Sequence, residues 1–154
     1  PELCDQVALL LARTGLDGAS LKLEITEHAL VENLDSAARN LDRLHDLEIA
    51  VQVDDFGTGY SSLSYLHKLP LNTLKIDRSF VSKMCTDRNS REFVQAIVLL
   101  AQALGMDLVA EGIETEEEAG QLRAMGCQYG QGFFFHRPAS ADVATRLLEL
   151  MPRR

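Results

Sequence analysis

Four acidic residues and one lysine lie at or near the C-terminal ends of segments that resemble β-strands. They are Glu24, Asp54, Asp55, Lys75 and Glu111. Carboxylates that lie close together repel one another and take up protons, so such a cluster requires positive charge. Divalent cations supply that charge, and an all-oxygen ligand set favours Mg²⁺ or Mn²⁺ over zinc. The pattern therefore predicts a metal centre in which Asp54 and Asp55 serve one ion each or share a bridging position.

A centre of this kind predicts hydrolysis at phosphorus. Two metal ions about 4 Å apart activate a water and stabilise an in-line displacement. Lys75 would orient that water or offset the charge of the phosphate. The segment Phe56-Gly57-Thr58-Gly59 follows the two aspartates, and its glycines allow it to pass close to the site as a loop. Asp55-Phe56-Gly57 is not interpreted as the kinase metal motif, because no H-R-D loop accompanies it.

Segments with the composition of strands alternate with helical segments along the chain. The strands are predicted at 20–25, 49–53, 72–76, 107–110 and 132–135. Leucines recur at helical spacing between 34 and 44, and apolar residues do so between 93 and 104. Gly105 is predicted to end the second helix, and Thr115 with Glu118 forms a capping-box pattern that begins another. This alternation predicts βα units and a parallel sheet.

The polar residues of the predicted strands share one face, as the alternation of Lys22 and Glu24 with apolar neighbours illustrates. A doubly wound sheet is covered on both faces, so its strands would be apolar throughout. A barrel with polar groups at the C-terminal ends of its strands fits better. A complete eight-stranded barrel takes about 250 residues, whereas this chain has 154 residues and five predicted strands. The predicted fold is α/β, a TIM-like (β/α) barrel that lacks its N-terminal strands.

Composition narrows the class of protein. The chain is 46% hydrophobic and 25% charged, which predicts a single soluble domain over 1–154. Its formal net charge of −8 argues against a long nucleic acid as partner. No apolar run approaches the roughly 18 residues of a membrane span, and the acidic N-terminal segment does not resemble a signal peptide, so we expect a cytoplasmic protein. The three cysteines are widely spaced and are expected to be reduced.

Several of these residues also have structural explanations. Asp55 could cap the helix that follows it. Glu27 and Glu114 lie three residues after Glu24 and Glu111, in "EITE" and "EGIE", and would be surface charges, helix caps or holders of the glycine loop. The four histidines share no ligand spacing and are not expected to be catalytic.

Five motifs follow one another along nearly the whole chain. They are "LEITE" at 23–27, "DDFGTGYSSL" at 54–63, "LKID" at 74–77, "AEGIE" at 110–114 and "QGFFF" at 131–135. In this order they resemble the motifs of EAL domains. The resemblance implies a modified TIM barrel that hydrolyses the bacterial second messenger cyclic di-GMP to linear pGpG with Mg²⁺ or Mn²⁺.

The resemblance also implies roles for the residues of the metal centre. Glu24 and Asp54 would bind the first metal ion, and Asp54 with Asp55 would bind the second. Lys75 would position the attacking water. Glu111 would complete the network of metal and water.

Further roles that the resemblance implies concern the substrate and the loop. Gln131 would lie at the substrate and water site. Asp77 and the segment "HRP" at 136–138, with Arg137 and Pro138, would contact the substrate. Glu27 would fix the glycine loop, which also lines the dimer interface in this family.

The chain departs from the EAL pattern at its N terminus. The Glu-Ala-Leu strand, whose Glu is a metal ligand, and the next strand with its Asn ligand would precede residue 1, and no E-A-L tripeptide occurs here. We therefore expect a C-terminal fragment of the domain, with sensory or cyclase domains upstream in the parent protein. Segment 20–25 would expose a strand edge, which a homodimer or a swapped copy would cover. Loss of two ligands would weaken metal binding, so the isolated fragment could be inactive.

Two other functions fit parts of the pattern. A non-catalytic cyclic di-GMP receptor or a protein-interaction module would keep the binding site without cleavage. Another metal-dependent barrel, such as an enolase-like enzyme, would use its acids on an enolate. The motifs are intact, whereas degenerate family members lose such acids, so the phosphodiesterase is favoured for the parent protein. The glycine loop after the aspartate pair argues against the enolase-like alternative.

Overall fold

The sheet consists of five parallel strands that lie side by side in chain order. The computed structural model describes residues 2–59 and 66–150. Within these ranges the strands are β1 (Lys22–Thr26), β2 (Ala50–Phe56), β3 (Thr73–Ile76), β4 (Asp107–Ala110) and β5 (Tyr129–Gly130). The predicted α/β class with a parallel sheet is confirmed.

Helices precede and connect these strands. They are α1 (Glu2–Thr14), α2 (Glu27–Glu32), α3 (Leu34–Asp46), α4 (Arg78–Val81), α5 (Arg88–Leu104), α6 (Glu116–Met125) and α7 (Ala141–Leu150), with 3-10 turns at Gly18–Ser20 and Leu66–Lys68. The leucine pattern at 34–44 falls within α3, and the pattern at 93–104 falls within α5. Gly105 ends α5 with a φ of 67°, a left-handed conformation that glycine adopts without steric cost. None of the helices in the described ranges is both long enough and apolar enough to cross a membrane.

The two faces of the sheet differ in polarity, as the alternation within the strands predicts. Val53, Leu74 and Leu108 are almost completely buried in the hydrophobic core, which α3 and α5 help to cover. Lys75 lies between Leu74 and Ile76 in β3 and therefore points to the opposite face. This face carries the acidic residues that contact Lys75 and becomes the wall of the site.

The fifth predicted strand was wrong in its position. We expected a strand at 132–135, but β5 is Tyr129–Gly130 and the phenylalanine run forms a turn. Its aromatic composition suggests a strand, yet Gly132 approaches the backbone so closely that a Cβ there would lie 2.1 Å from the carbonyl oxygen of Ile113. The N–H groups of Phe135 and His136 then donate to the Gly132 carbonyl oxygen and close the turn.

The loop between β4 and α6 is held by the predicted capping box. The Thr115 hydroxyl accepts a hydrogen bond from the Glu118 N–H, at 3.2 Å. Oε2 of Glu118 accepts from the N–H groups of Glu114 and Thr115, at 2.8 and 3.0 Å. Glu118 is only 7% exposed, so its carboxylate is largely shielded from the solvent. These hydrogen bonds fix the loop that begins with Glu111.

Within the described ranges, β1 pairs with β2 alone, so its other edge is open. Beside this edge an apolar groove of about 300 Å³ runs between α1, β1 and α3, and Leu3, Leu23 and Leu41 are among its lining residues. The open edge is the one predicted for segment 20–25. Its cover by a homodimer or a swapped copy stays a prediction.

We expect Glu118→Ala to lower the free energy of unfolding by about 2 kcal/mol, because the N–H groups of Glu114 and Thr115 lose their shared carboxylate acceptor. Glu117→Ala is the matched control, since Glu117 occupies the same turn of α6 and is exposed. Its removal should cost less than about 0.5 kcal/mol. Urea denaturation followed by circular dichroism measures both. Equal effects of the two substitutions would contradict the role of the Glu118 side chain in holding the loop.

Candidate metal centre and adjoining cleft

Lys75 lies at the centre of the polar face and joins the ends of four strands. Its Nζ lies 2.6 Å from Oε1 of Glu24, 2.9 Å from Oδ1 of Asp54 and 2.6 Å from Oε1 of Glu111. Glu24 and Asp54 belong to β1 and β2, whereas Glu111 directly follows β4. The Lys75 side chain is 5% exposed. Because all strands are parallel, their C-terminal ends meet at this edge, which brings residues distant in sequence around one ammonium group.

Asp54 and Asp55 reach the same cluster although they are adjacent in a strand. Successive side chains in a regular strand point to opposite faces. Between Val53 and Phe56 the pairing of β2 with β3 shifts by one residue, and Asp55 has a φ of 53°. This extra residue turns the Asp55 carboxylate back towards Asp54. As a result, oxygen atoms of Asp54, Asp55 and Glu111 lie within 4.8 Å of one another.

The cluster fits a divalent cation bound by oxygen. Three carboxylates can each offer one ligand atom to a common ion, which is the ligand chemistry of Mg²⁺, Mn²⁺ and Ca²⁺. Oδ1 of Asp54 is buried and lies 2.9 Å from Nζ of Lys75. Glu24 is not one of the three residues and adjoins them through Lys75.

Electrostatic effects differ between Lys75 and Glu111. Burial acts to lower the pKa of Lys75, but the carboxylates of Glu111, Glu24 and Asp54 raise it more, so its net pKa lies above the ordinary value. Lys75 therefore remains an ammonium ion at neutral pH. Burial raises the pKa of Glu111, although the hydrogen bond from Lys75 opposes that change. The pKa of Asp55 is raised by burial and then by the charges of Asp54 and Asp77.

The glycine loop is anchored on Glu27, the first residue of α2. Glu27 is 4% exposed, and its Oε2 accepts a hydrogen bond of 3.0 Å from the Gly57 N–H. A Cβ at Gly59 would lie 3.4 Å from the Glu27 carboxyl carbon, so the loop passes directly over this side chain. Among the alternatives for Glu27, this contact favours a holder of the loop. The end of the motif, Tyr60-Ser61-Ser62-Leu63, lies outside the described residues.

A cleft of about 390 Å³ adjoins the metal centre on the side of β4. Glu111 lines the cleft as well as the metal centre. Gln131 also lines the cleft, and its Nε2 donates a hydrogen bond of 2.6 Å to Oε1 of Glu111. The predicted residues Arg137 and Pro138 line the cleft. The Arg137 guanidinium lies 4.6 Å from the centre of the Phe133 ring, within the range of a cation–π contact.

Two cleft residues were missed by sequence reasoning. Arg78 and Phe133 both line the cleft. Phe133 lay within the "QGFFF" motif but was assigned to a strand, and Arg78 directly follows "LKID". Their places within or next to these motifs were the sequence features that could have indicated a position near the site. Glu114, which sequence reasoning left open, also lines the cleft and is exposed.

Asp77 has a structural contact that its predicted role did not include. Its Oδ1 accepts a hydrogen bond of 3.0 Å from the Ser79 N–H and thereby caps α4. Asp77 is not among the residues that line the cleft. The predicted substrate contact of Asp77 therefore stays a prediction.

We expect Asp55→Asn to change the pH dependence of stability in the metal-free chain. The folded pKa of Asp55 is raised above 3.8, so its contribution to stability is present below that pH and is lost as pH rises through the folded pKa. Asparagine does not ionise and avoids this loss. The variant should therefore gain stability at pH 7 relative to pH 4, by less than about 1 kcal/mol because solvent screens the charges.

Chemical denaturation at pH 4 and pH 7 in the presence of a chelator measures this difference. Asparagine also tolerates the left-handed backbone at this position, but that gain is the same at both pH values and cancels. Asp46→Asn is the control, because Asp46 is exposed and lies near the N-terminal end of β2, whereas the cluster lies at the C-terminal ends of the strands. Identical pH profiles for the wild type and Asp55→Asn would refute the raised pKa.

Comparisons with solved structures support the fold and a divalent metal. PaMucR phosphodiesterase in complex with c-di-GMP matches with a TM-score of 0.88 and 40% identity, over 91% of this chain and 57% of that chain. BlrP1 of Klebsiella pneumoniae, solved with manganese and cyclic di-GMP, matches with a TM-score of 0.80 and 33% identity, over 88% of this chain and 35% of that one. These matches confirm the predicted partial TIM-like barrel and are consistent with a divalent metal.

Comparisons of sequence show the family. The cyclic di-GMP phosphodiesterase NbdA of Pseudomonas aeruginosa is 45% identical over 136 residues, which are 88% of this chain and 17% of NbdA. The chain spans only 17–23% of the length of three curated relatives that it matches. The family model of the EAL domain matches residues 1–138. The chain belongs to the EAL domain family.

Proposed function

We propose that this chain forms part of a phosphodiesterase that hydrolyses cyclic di-GMP to linear pGpG. The observation that carries the proposal is the convergence of Glu24, Asp54, Asp55 and Glu111 around Lys75, at the mouth of a cleft. The similarity to NbdA and to PaMucR in complex with c-di-GMP supports the choice of substrate.

Asp54, Asp55 and Glu111 would hold Mg²⁺ or Mn²⁺, and Glu24 would join them as a ligand of the first ion. When bound, such ions lower the pKa of water and neutralise negative charge on a phosphate. Lys75 keeps its proton because of its raised pKa, so it acts as a cation and hydrogen-bond donor and not as a general base. It would orient the attacking water or a phosphate oxygen.

Glu111 is held in one orientation by two donors. Lys75 Nζ and Gln131 Nε2 each lie 2.6 Å from the same oxygen, Oε1. This arrangement leaves Oε2 as the oxygen that would face a metal ion or a water. Gln131 would therefore act through Glu111 as well as at the substrate site.

The cleft offers groups suited to a guanine nucleotide. Its volume of about 390 Å³ is within the usual range for small-ligand sites. Phe133 presents a ring on which a base could stack, and Arg78 and Arg137 could pair with phosphate oxygens. Pro138 would complete the wall. This assignment extends the sequence prediction for Arg137 and Pro138 to two further residues.

We also propose that the chain is the C-terminal part of an EAL barrel. Five parallel strands with an open β1 edge support this proposal, as does the coverage of only 57% of the PaMucR chain. The ligands of the Glu-Ala-Leu strand and of the Asn strand would then come from the remainder of the barrel. Homodimerisation and upstream sensory or cyclase domains stay predictions.

The decisive assay compares this chain with a version extended at its N terminus by the missing strands. Each is incubated with cyclic di-GMP and Mg²⁺ or Mn²⁺, and pGpG is detected by chromatography. We expect the extended chain to form pGpG, and Asp54→Asn to reduce the rate at least about 100-fold because one of the carboxylates that would hold the metal is lost. Asp46→Asn should leave the rate unchanged, because Asp46 lies near the N-terminal end of β2, away from the cluster.

Two results would change the interpretation. Activity that survives Asp54→Asn would overturn the assignment of the metal centre. Binding of cyclic di-GMP by the extended chain without any cleavage would instead support the receptor alternative.

A further inference from the structure

An aromatic pair packs against the glycine loop at Gly57, the residue whose N–H also donates to Glu27. Phe80 of α4 and Phe93 of α5 have ring centres 4.6 Å apart and an angle of 40° between the ring planes. A Cβ at Gly57 would lie 2.7 Å from Cε1 of Phe93 and 3.2 Å from Cε2 of Phe80. Both rings are therefore in close contact with the Gly57 backbone, and no side chain fits between them.

The position of Phe93 on α5 indicates that this contact is not part of the ordinary core packing. The residues that α5 buries are Val94, Ile97, Val98 and Ala101. Phe93 lies beside this set and remains 38% exposed. Its ring contacts Phe80 of α4 and lies against Gly57, and the second of these contacts connects α5 to the loop.

The turn at Gly57 determines where the Asp55 carboxylate lies. Asp55 and Gly57 have positive φ values of 53° and 99°. Positive φ is unfavourable for residues other than glycine, so the conformation of Asp55 depends on contacts that hold the turn. Thr58 closes the turn, since its hydroxyl donates a hydrogen bond of 2.9 Å to the Asp55 carbonyl oxygen. Glu27 holds the Gly57 N–H. The aromatic pair packs against the same residue.

We propose that Phe93, supported by Phe80, is a positioning residue for the metal centre. Its ring confines the Gly57 turn and thereby keeps the Asp55 carboxylate beside Asp54 and Glu111. The inference rests on the proposed function in one respect, namely that Asp55 is a metal ligand. It extends that function to a residue on α5 that does not itself belong to the acidic cluster.

The test separates the mobility of the loop from the binding of metal. Amide hydrogen exchange of peptides that cover 54–59 is measured on the metal-free chain. Mn²⁺ affinity is then measured by calorimetry on the version extended at its N terminus by the missing strands. The variants are Phe93→Ala, Phe93→Leu as the conservative change, and Leu99→Ala as the control. Leu99 lies on the same helix, is 57% exposed and points away from the Phe93 stripe.

We expect Phe93→Ala to speed exchange at 54–59 about threefold to tenfold, which is the range that the loss of an aromatic contact allows. Its Mn²⁺ affinity should fall about tenfold, as is typical for groups that orient metal ligands. Phe93→Leu should restore part of both properties, whereas Leu99→Ala should change neither. Thermal unfolding of each variant shows whether the fold is intact.

Unchanged exchange at 54–59 in folded Phe93→Ala would overturn the inference. Faster exchange together with unchanged Mn²⁺ affinity would also overturn it, since the ring would then stabilise the loop without positioning a ligand. If Phe93→Ala does not fold, Phe93→Leu is judged by the same two criteria. If the extended chain without any substitution binds no Mn²⁺, the proposed metal centre is contradicted, while the exchange data still decide whether the ring holds the loop.

Discussion

The burial of one ammonium group among carboxylates governs the organisation of this site. Lys75 is 5% exposed and contacts acids from three other segments of the sheet. A buried cation without partners would be strongly destabilising, and so would three carboxylates without a cation. The buried ammonium group and the clustered carboxylates therefore stabilise one another. The lysine acts as an internal counter-ion, which allows the acidic residues to remain close together before any metal is bound.

This arrangement has a consequence for metal binding. A metal ion bound through an oxygen that Lys75 contacts, such as Oδ1 of Asp54, would compete with the lysine for that oxygen. Part of its binding energy would then be offset by the loss of the lysine contact. In exchange, the carboxylates already lie near their working positions. Glu111 illustrates the point, because Lys75 and Gln131 fix one of its oxygens from two directions. The site is thus largely preorganised by hydrogen bonds and ion pairs within the protein.

Sequence patterns predicted much of this structure because they report on local and periodic constraints. The alternation in β1 to β4, the helical spacing in α3 and α5, and the capping box at Thr115 each reflect contacts within a few residues, and the structure confirms them. The phenylalanine run at 132–135 was misassigned, since its composition favours a strand and only the close approach of Gly132 to Ile113 excludes one. That approach is a long-range contact, which periodicity does not record.

The candidate site shows the same division. Its acids and Lys75 were identified from their places at strand ends, whereas Arg78, Phe133 and the aromatic pair at Gly57 were not. Phe80 and Phe93 look like ordinary core positions in the sequence, and their contact with the loop depends on how α4 and α5 pack. Glu27 was left among several alternatives until its hydrogen bond to Gly57 was visible. Residues that act through tertiary packing carry little local signal.

The irregular pairing of β2 with β3 determines which kinds of mutation would disrupt the site. Both aspartates face the same side because β2 has one residue more than β3 between the pairs Val53–Leu74 and Phe56–Ile76. A substitution can alter either acid, but it leaves the count of residues unchanged. The loss of a single codon in this stretch would instead restore a regular ladder, and the pairing would improve while the shared side of the two acids disappeared.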